Sequence, residues 1–179
     1  MRDDGKIFPY LDLNPTIDPT VFLAPGSKVV GDVEIGEEAS VWFNTVIRGD
    51  VNYVRIGART NVQDCSMLHV TRETHPLVIG SGCTIGHSVK LHGCTLEDEC
   101  LVGIGAVVLD GATVEKHAAV ASGAVVPPGA RIPSGTLAAG VPAKPLRDLT
   151  PEEIGDLPAS AERYVKFAKL TAQSIGGAE

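Results

Sequence analysis

Aromatic side chains are scarce in this sequence, at 4% of its 179 residues. A broad core built on rings is thereby excluded, and a narrow interior of stacked Val, Ile, Leu and Ala is favoured. No run of Lys and Arg interrupts a formal net charge of −7, which argues against a nucleic-acid or anionic-membrane partner. No apolar stretch approaches the length that spans a bilayer. Met1-Arg2-Asp3-Asp4 lacks the apolar core of a signal peptide, so a soluble cytoplasmic protein is the default expectation. The four cysteines contain no Cys-x-x-Cys pair, so neither a thiolate zinc site nor a redox motif is supported. The length suits one domain with a small appendage.

What is present is a period of six. From Leu23 it runs through Val29, Ile35, Val41 and Ile47. It resumes at Ile56, Val62 and Leu68, again at Ile79, Ile85 and Leu91, and then from Leu96 through Val102, Val108, Val114, Val120 and Val126 to Ile132. Four positions after most of these stands a small or β-branched residue, such as Ala39, Thr45, Thr60, Ser66, Ala106 or Ala118. Cys83 and Cys100 fill the same slot and read as core thiols. A period of six fits neither an amphipathic helix nor an alternating strand. It is the signature of a parallel β-helix in which each hexapeptide forms one face of a triangular coil. The reading is an all-β fold, with a lead-in over 1–20, β-helix repeats over 21–139, and a proline-rich ending with a C-terminal α-helix over 140–179.

Residues 1–20 read as irregular. Two breaks, between Ile47 and Ile56 and across Val70–Val78, read as loops that leave the prism. Thr150-Pro151-Glu152-Glu153 reads as a helix start with a capping box, and Ser160 as a second start.

The hexads give directions to the histidines. His75, in the second break, and His117 read as solvated. His69 and His92 each follow a core leucine, and His87 comes two after Ile85. All three should point out of the prism. The count places Leu68 and Ile85 on one face, with His87 and His92 on consecutive faces. One chain then does not gather three imidazoles on one ion, although a neighbouring prism could supply the missing ligand. Three imidazoles with an open fourth position make a catalytic zinc arrangement. Spacing alone leaves that reading open beside the bland one, in which Arg48 and Asp50 make surface or interface ion pairs and Asn61 and Asp64 cap turns.

Val46-Ile47-Arg48-Gly49-Asp50, Asn61-Val62-Gln63-Asp64 with His69, Ile85-Gly86-His87 and His92-Gly93-Cys94 together resemble the γ-class carbonic anhydrase family, over roughly residues 8 to 170. The resemblance implies a left-handed β-helix and a homotrimer with metal sites between subunits. His69 and His92 would come from one chain and His87 from its neighbour. Zinc is the implied metal, with iron or cobalt as alternatives. Arg48 and Asp50 would pair across the interface, and Gln63 would hydrogen-bond a metal-bound hydroxide. Asn61 belongs to the same polar block, and Tyr164 would approach from the helix. The implied reaction is reversible hydration of CO2 to bicarbonate. The loop after His69 is shorter than in the founding pattern, leaving Glu73 or His75 as proton-shuttle candidates. Val51 stands where a second active-site glutamate would be. Metal binding is therefore better supported than fast turnover. Two other classes stay open: a metal-held trimeric scaffold without catalysis, and a hexapeptide acyltransferase with a histidine base.

Overall fold

The computed structural model describes residues 6–176, so the acidic start Met1–Asp4 lies outside the described residues. The chain forms a parallel β-helix of about seven turns with one C-terminal helix. Its three faces are the three registers of the six-residue period. Val29, Ile47, Leu68, Leu91, Val108 and Val126 stack on the first. Ile35, Ile56, Ile79, Leu96, Val114 and Ile132 stack on the second. Leu23, Val41, Val62, Ile85, Val102 and Val120 stack on the third. These side chains interlock in a dry axial core, with Ile47, Leu68, Leu91, Ile79 and Ile85 among the fully buried. In the small slot, Thr45 Oγ1 donates to Gln63 O at 2.7 Å, Thr60 Oγ1 to Gly80 O at 2.7 Å and Ser66 Oγ to Gly86 O at 3.1 Å. Hydroxyls are tolerated inside because a backbone carbonyl one coil away accepts from each. Cys83, Cys94 and Cys100 are buried and free.

The two breaks differ in kind. Val46–Ile56 is one continuous strand that passes from the first face to the second, with a bulge where its register against Lys28–Ile35 shifts between Gly49 and Val54. The second break is a loop, closed by a bridge between Thr71 and His75. It stands in for a corner rather than a hexad. Leu68 therefore stacks on Leu91 and not on Ile85, which corrects the face count above. The lead-in is also more regular than expected, because Ile7–Phe8 and Thr16–Ile17 pair in parallel with Lys28–Ile35.

At the far end the chain reverses, and Thr136–Gly140 pairs antiparallel with Ala143–Asp148. Helix α1 (Pro151–Gly176) follows. Thr150 Oγ1 accepts from Glu153 N at 3.2 Å, and Glu153 Oε2 accepts from Thr150 N at 2.9 Å, a reciprocal capping box. The helix continues through Ser160 without a second start. It buries Leu157, Ser160, Ala161, Val165 and Ala168 against the third face, where Thr84 Oγ1 donates to Ser160 Oγ at 3.3 Å.

Candidate metal centre

The stacking brings two of the three candidate ligands together. Arg48, His69 and His92 occupy the same position on successive coils of the first face, each just after a stacked core residue. His69 Nδ1 lies 3.1 Å from His92 Nε2. Each ring is held from its far side by a carboxylate. Asp50 Oδ1 is 3.0 Å from His69 Nε2, and Asp110 Oδ1 is 2.8 Å from His92 Nδ1. Arg48 pairs with the other oxygen of Asp50. Burial alone would push both carboxyls up. Hydrogen bonds from His69 and Arg48 outweigh it at Asp50, and those from His92 and Thr71 outweigh it at Asp110, so both sit below the usual aspartate range.

A carboxylate only accepts, so the nitrogen facing it carries the hydrogen. Neutral His69 and His92 are then left with lone pairs on Nδ1 and Nε2, the two atoms that confront each other. Facing lone pairs repel unless a cation sits between them. Zinc–imidazole bonds of about 2.0–2.1 Å at a tetrahedral angle place two ligand nitrogens about 3.3 Å apart. The observed gap is close to that, and imidazoles backed by carboxylates are the usual build of such ligands. The donor set fits a divalent ion.

His87 stands elsewhere. It lies in the turn after Thr84–Ile85, leading from the third face to the first, with its Nδ1 2.7 Å from Asp64 Oδ2. The same reasoning leaves Nε2 free to bind. The rest of the polar block shares this edge. Gln63 Nε2 donates to Asn61 Oδ1 at 3.0 Å, and Asn61 Nδ2 donates to Thr84 Oγ1 at 3.0 Å and Cys83 O at 3.2 Å. Tyr164 packs edge-on to Trp42 with centroids 5.5 Å apart. Burial, and next the negative charge of Asp64, raise its hydroxyl above the ordinary tyrosine value. The candidates thus divide into two groups: Arg48, Asp50, His69 and His92 on one edge; Asn61, Gln63, His87 and Tyr164 on the other. Among the described residues no group of three His, Cys, Asp or Glu side chains is gathered to hold a metal ion. Glu73 is exposed in the loop, and His75 Nδ1 lies 2.9 Å from Thr74 Oγ1.

No family model matches the chain. It is 49% identical over 166 residues to "Gamma carbonic anhydrase 1, mitochondrial" of Arabidopsis thaliana, covering 90% of this chain and 60% of that protein. It is 52% identical over 153 residues to a "Probable carbonic anhydrase" of Methanocaldococcus jannaschii, covering 86% of this chain and 96% of the relative. The chain belongs to the γ carbonic anhydrase family. It spans only 60% of the length of the plant member. A solved structure described as a putative acetyltransferase of Bacillus cereus superposes with a TM-score of 0.91 at 41% identity, over 94% of this chain and 97% of that one. A γ carbonic anhydrase chain and a protein described as an acetyltransferase can therefore share this prism, and the side chains on its edges must carry the distinction.

The carboxylate behind His92 escaped the sequence reading. Asp110 lies 18 residues after His92, one coil further, and that spacing was the available signal. Asp64, a turn cap only in the bland reading, lies 2.7 Å from His87 Nδ1.

Proposed function

We propose that this protein is a metal-dependent carbonic anhydrase of the γ class whose site forms between copies in a homotrimer. His69 and His92 of one copy and His87 of the next would hold the ion, zinc by donor chemistry, with iron or cobalt also compatible. The carrying observation is the pair of imidazoles 3.1 Å apart, each turned by a carboxylate to face the other, with the third imidazole on a different edge of the prism. A closed three-fold ring is the simple way to bring one edge against the other in every copy.

The reaction is the reversible hydration of CO2 to bicarbonate and a proton. When bound, the metal would lower the pKa of a water to about 7, supplying nucleophile at neutral pH. The protein's part is orientation. Asp50, Asp64 and Asp110 fix the three rings. Gln63, braced by Asn61, presents its carboxamide toward the shared edge. Arg48, with His69, keeps Asp50 ionised, and would reach across to a neighbour. Tyr164 keeps its proton and offers a neutral hydroxyl. CO2 and bicarbonate are the small-molecule partners of this reading, with a soluble cytoplasmic setting and neither nucleic acid nor membrane. No helix among the described residues is long and apolar enough to cross a membrane.

The test is to measure metal per chain in the purified protein and to follow CO2 hydration beside His87→Ala. Metal in full, with hydration lost in the variant, supports the proposal. Metal in full without hydration in the parent protein supports a metal-held trimeric scaffold instead. A metal-free native protein that acylates from acyl-CoA would sink both and favour a hexapeptide acyltransferase, in line with the acetyltransferase description of the Bacillus cereus structure.

A further inference from the structure

We infer that Asp110 and Thr71 are positioning residues that set which nitrogen His92 presents at the metal site, an inference that rests on the reading above. An imidazole has two nitrogens, and only the one without hydrogen can bind a metal. At His92 the choice is made by a built arrangement. Asp110 Oδ1 accepts from His92 Nδ1 at 2.8 Å and from Thr71 Oγ1 at 2.9 Å. Thr71 is itself fixed, because Asn52 Nδ2 donates to its carbonyl at 3.0 Å and its N–H reaches His75 O at 2.9 Å. The Asp110 backbone is pinned between coils, with Gly111 N donating to Gly93 O at 2.7 Å and Gly129 N to Asp110 O at 2.8 Å.

The carboxylate reaches the ring only because residue 93 is glycine. A Cβ there would stand 2.3 Å from Asp110 Oδ1 and 2.7 Å from His75 Cβ, and the backbone φ is +54°. The loop after His69 thus contributes through Thr71, whose hydroxyl orients the carboxylate that orients the ligand. An asparagine at 110 would break this logic while keeping the shape. Its amide can donate as well as accept, so His92 could instead carry its hydrogen on Nε2 and turn a blocked atom toward His69.

The experiment compares the parent protein with Asp110→Asn, Thr71→Val and Thr71→Ser, all as full chains. Zinc affinity is read by competition with a chelator. The tautomer of His92 is read by nitrogen NMR on the zinc-free protein. Loss of a carboxylate behind a ligand imidazole typically weakens metal binding about 10–100-fold. That fall is expected for Asp110→Asn, with His92 shifting from hydrogen on Nδ1 to a mixture. Thr71→Val should weaken zinc less, and Thr71→Ser should restore it. Unchanged tautomer and unchanged zinc affinity in Asp110→Asn would overturn the inference. If the parent protein binds none of zinc, iron and cobalt, the metal reading fails by itself, and the tautomer comparison still decides whether Asp110 positions His92.

Discussion

Replacing Leu91 by alanine tests how the core supports the site. Leu91 is 1% exposed and lies between Leu68 on one coil and Val108 on the next. Buried Leu→Ala changes cost about 2–5 kcal/mol, more where the surroundings cannot collapse. Here they cannot, because the ladder fixes the coils on either side. Lys90 N donates to Ala106 O at 3.0 Å and Gly93 N to His69 O at 3.0 Å. The upper half of the range, about 3–5 kcal/mol, is expected. Urea unfolding followed by circular dichroism, at one protein concentration so that assembly contributes equally, gives the difference. The control is Lys90→Ala, next door and exposed, which should change stability by no more than about 0.5 kcal/mol. The cavity would also loosen His92, so zinc affinity should fall in Leu91→Ala and hold in Lys90→Ala. A loss under about 1 kcal/mol for Leu91→Ala, or an equal loss in both variants, would refute the reasoning.

Other outcomes follow from the helix and the corners. The Arg147 side chain, aided by Thr150 N, holds the Glu153 carboxyl down to about 2 from an ordinary 4.5. The folded value lies below the unfolded one, so this contribution is full above pH 4.5 and fades as pH falls toward about 2. An NMR titration of Glu153 should show the low midpoint, and Arg147→Ala should move it back up. Thr150→Ala removes the cap and should cost about 1 kcal/mol, seen as faster amide exchange at the start of helix α1. Gly155→Ala, where an added Cβ meets nothing within 4 Å, should stabilise by about 0.4–1 kcal/mol in thermal unfolding. Gly57→Ala would drive its Cβ to 2.5 Å from Gly80 C and should destabilise by about 1–3 kcal/mol.

The repeat made most of the prism readable. Within each unbroken run between Leu23 and Ile132 a step of six carries the stacked residues from face to face, because only one side chain per hexad fits the narrow axis. The helix start was equally legible, since Thr150 and Glu153 satisfy each other locally. What was misread depended on geometry that no local pattern encodes. Whether the segment after His69 replaced a hexad or a corner could not be counted from its residues, so Leu68 was set beside Ile85 rather than Leu91. The strand Val46–Ile56 looked like a break because its register against Lys28–Ile35 shifts where it turns the corner. Asp110 was missed because its partner lies a whole coil away.

The central claim is that the metal site exists only where two copies meet. His69→Ala and His87→Ala should each retain little zinc alone. Folded together in equal amounts, they should form junctions in which intact His69 of one copy faces intact His87 of the next. In a ring assembled at random, about one junction in four is intact. The mixture should therefore hold about a quarter of the parent protein's tightly bound zinc after desalting, with CO2 hydration recovered in proportion. A mixture holding no more zinc than the separate variants, while the parent protein binds it fully, would contradict the account.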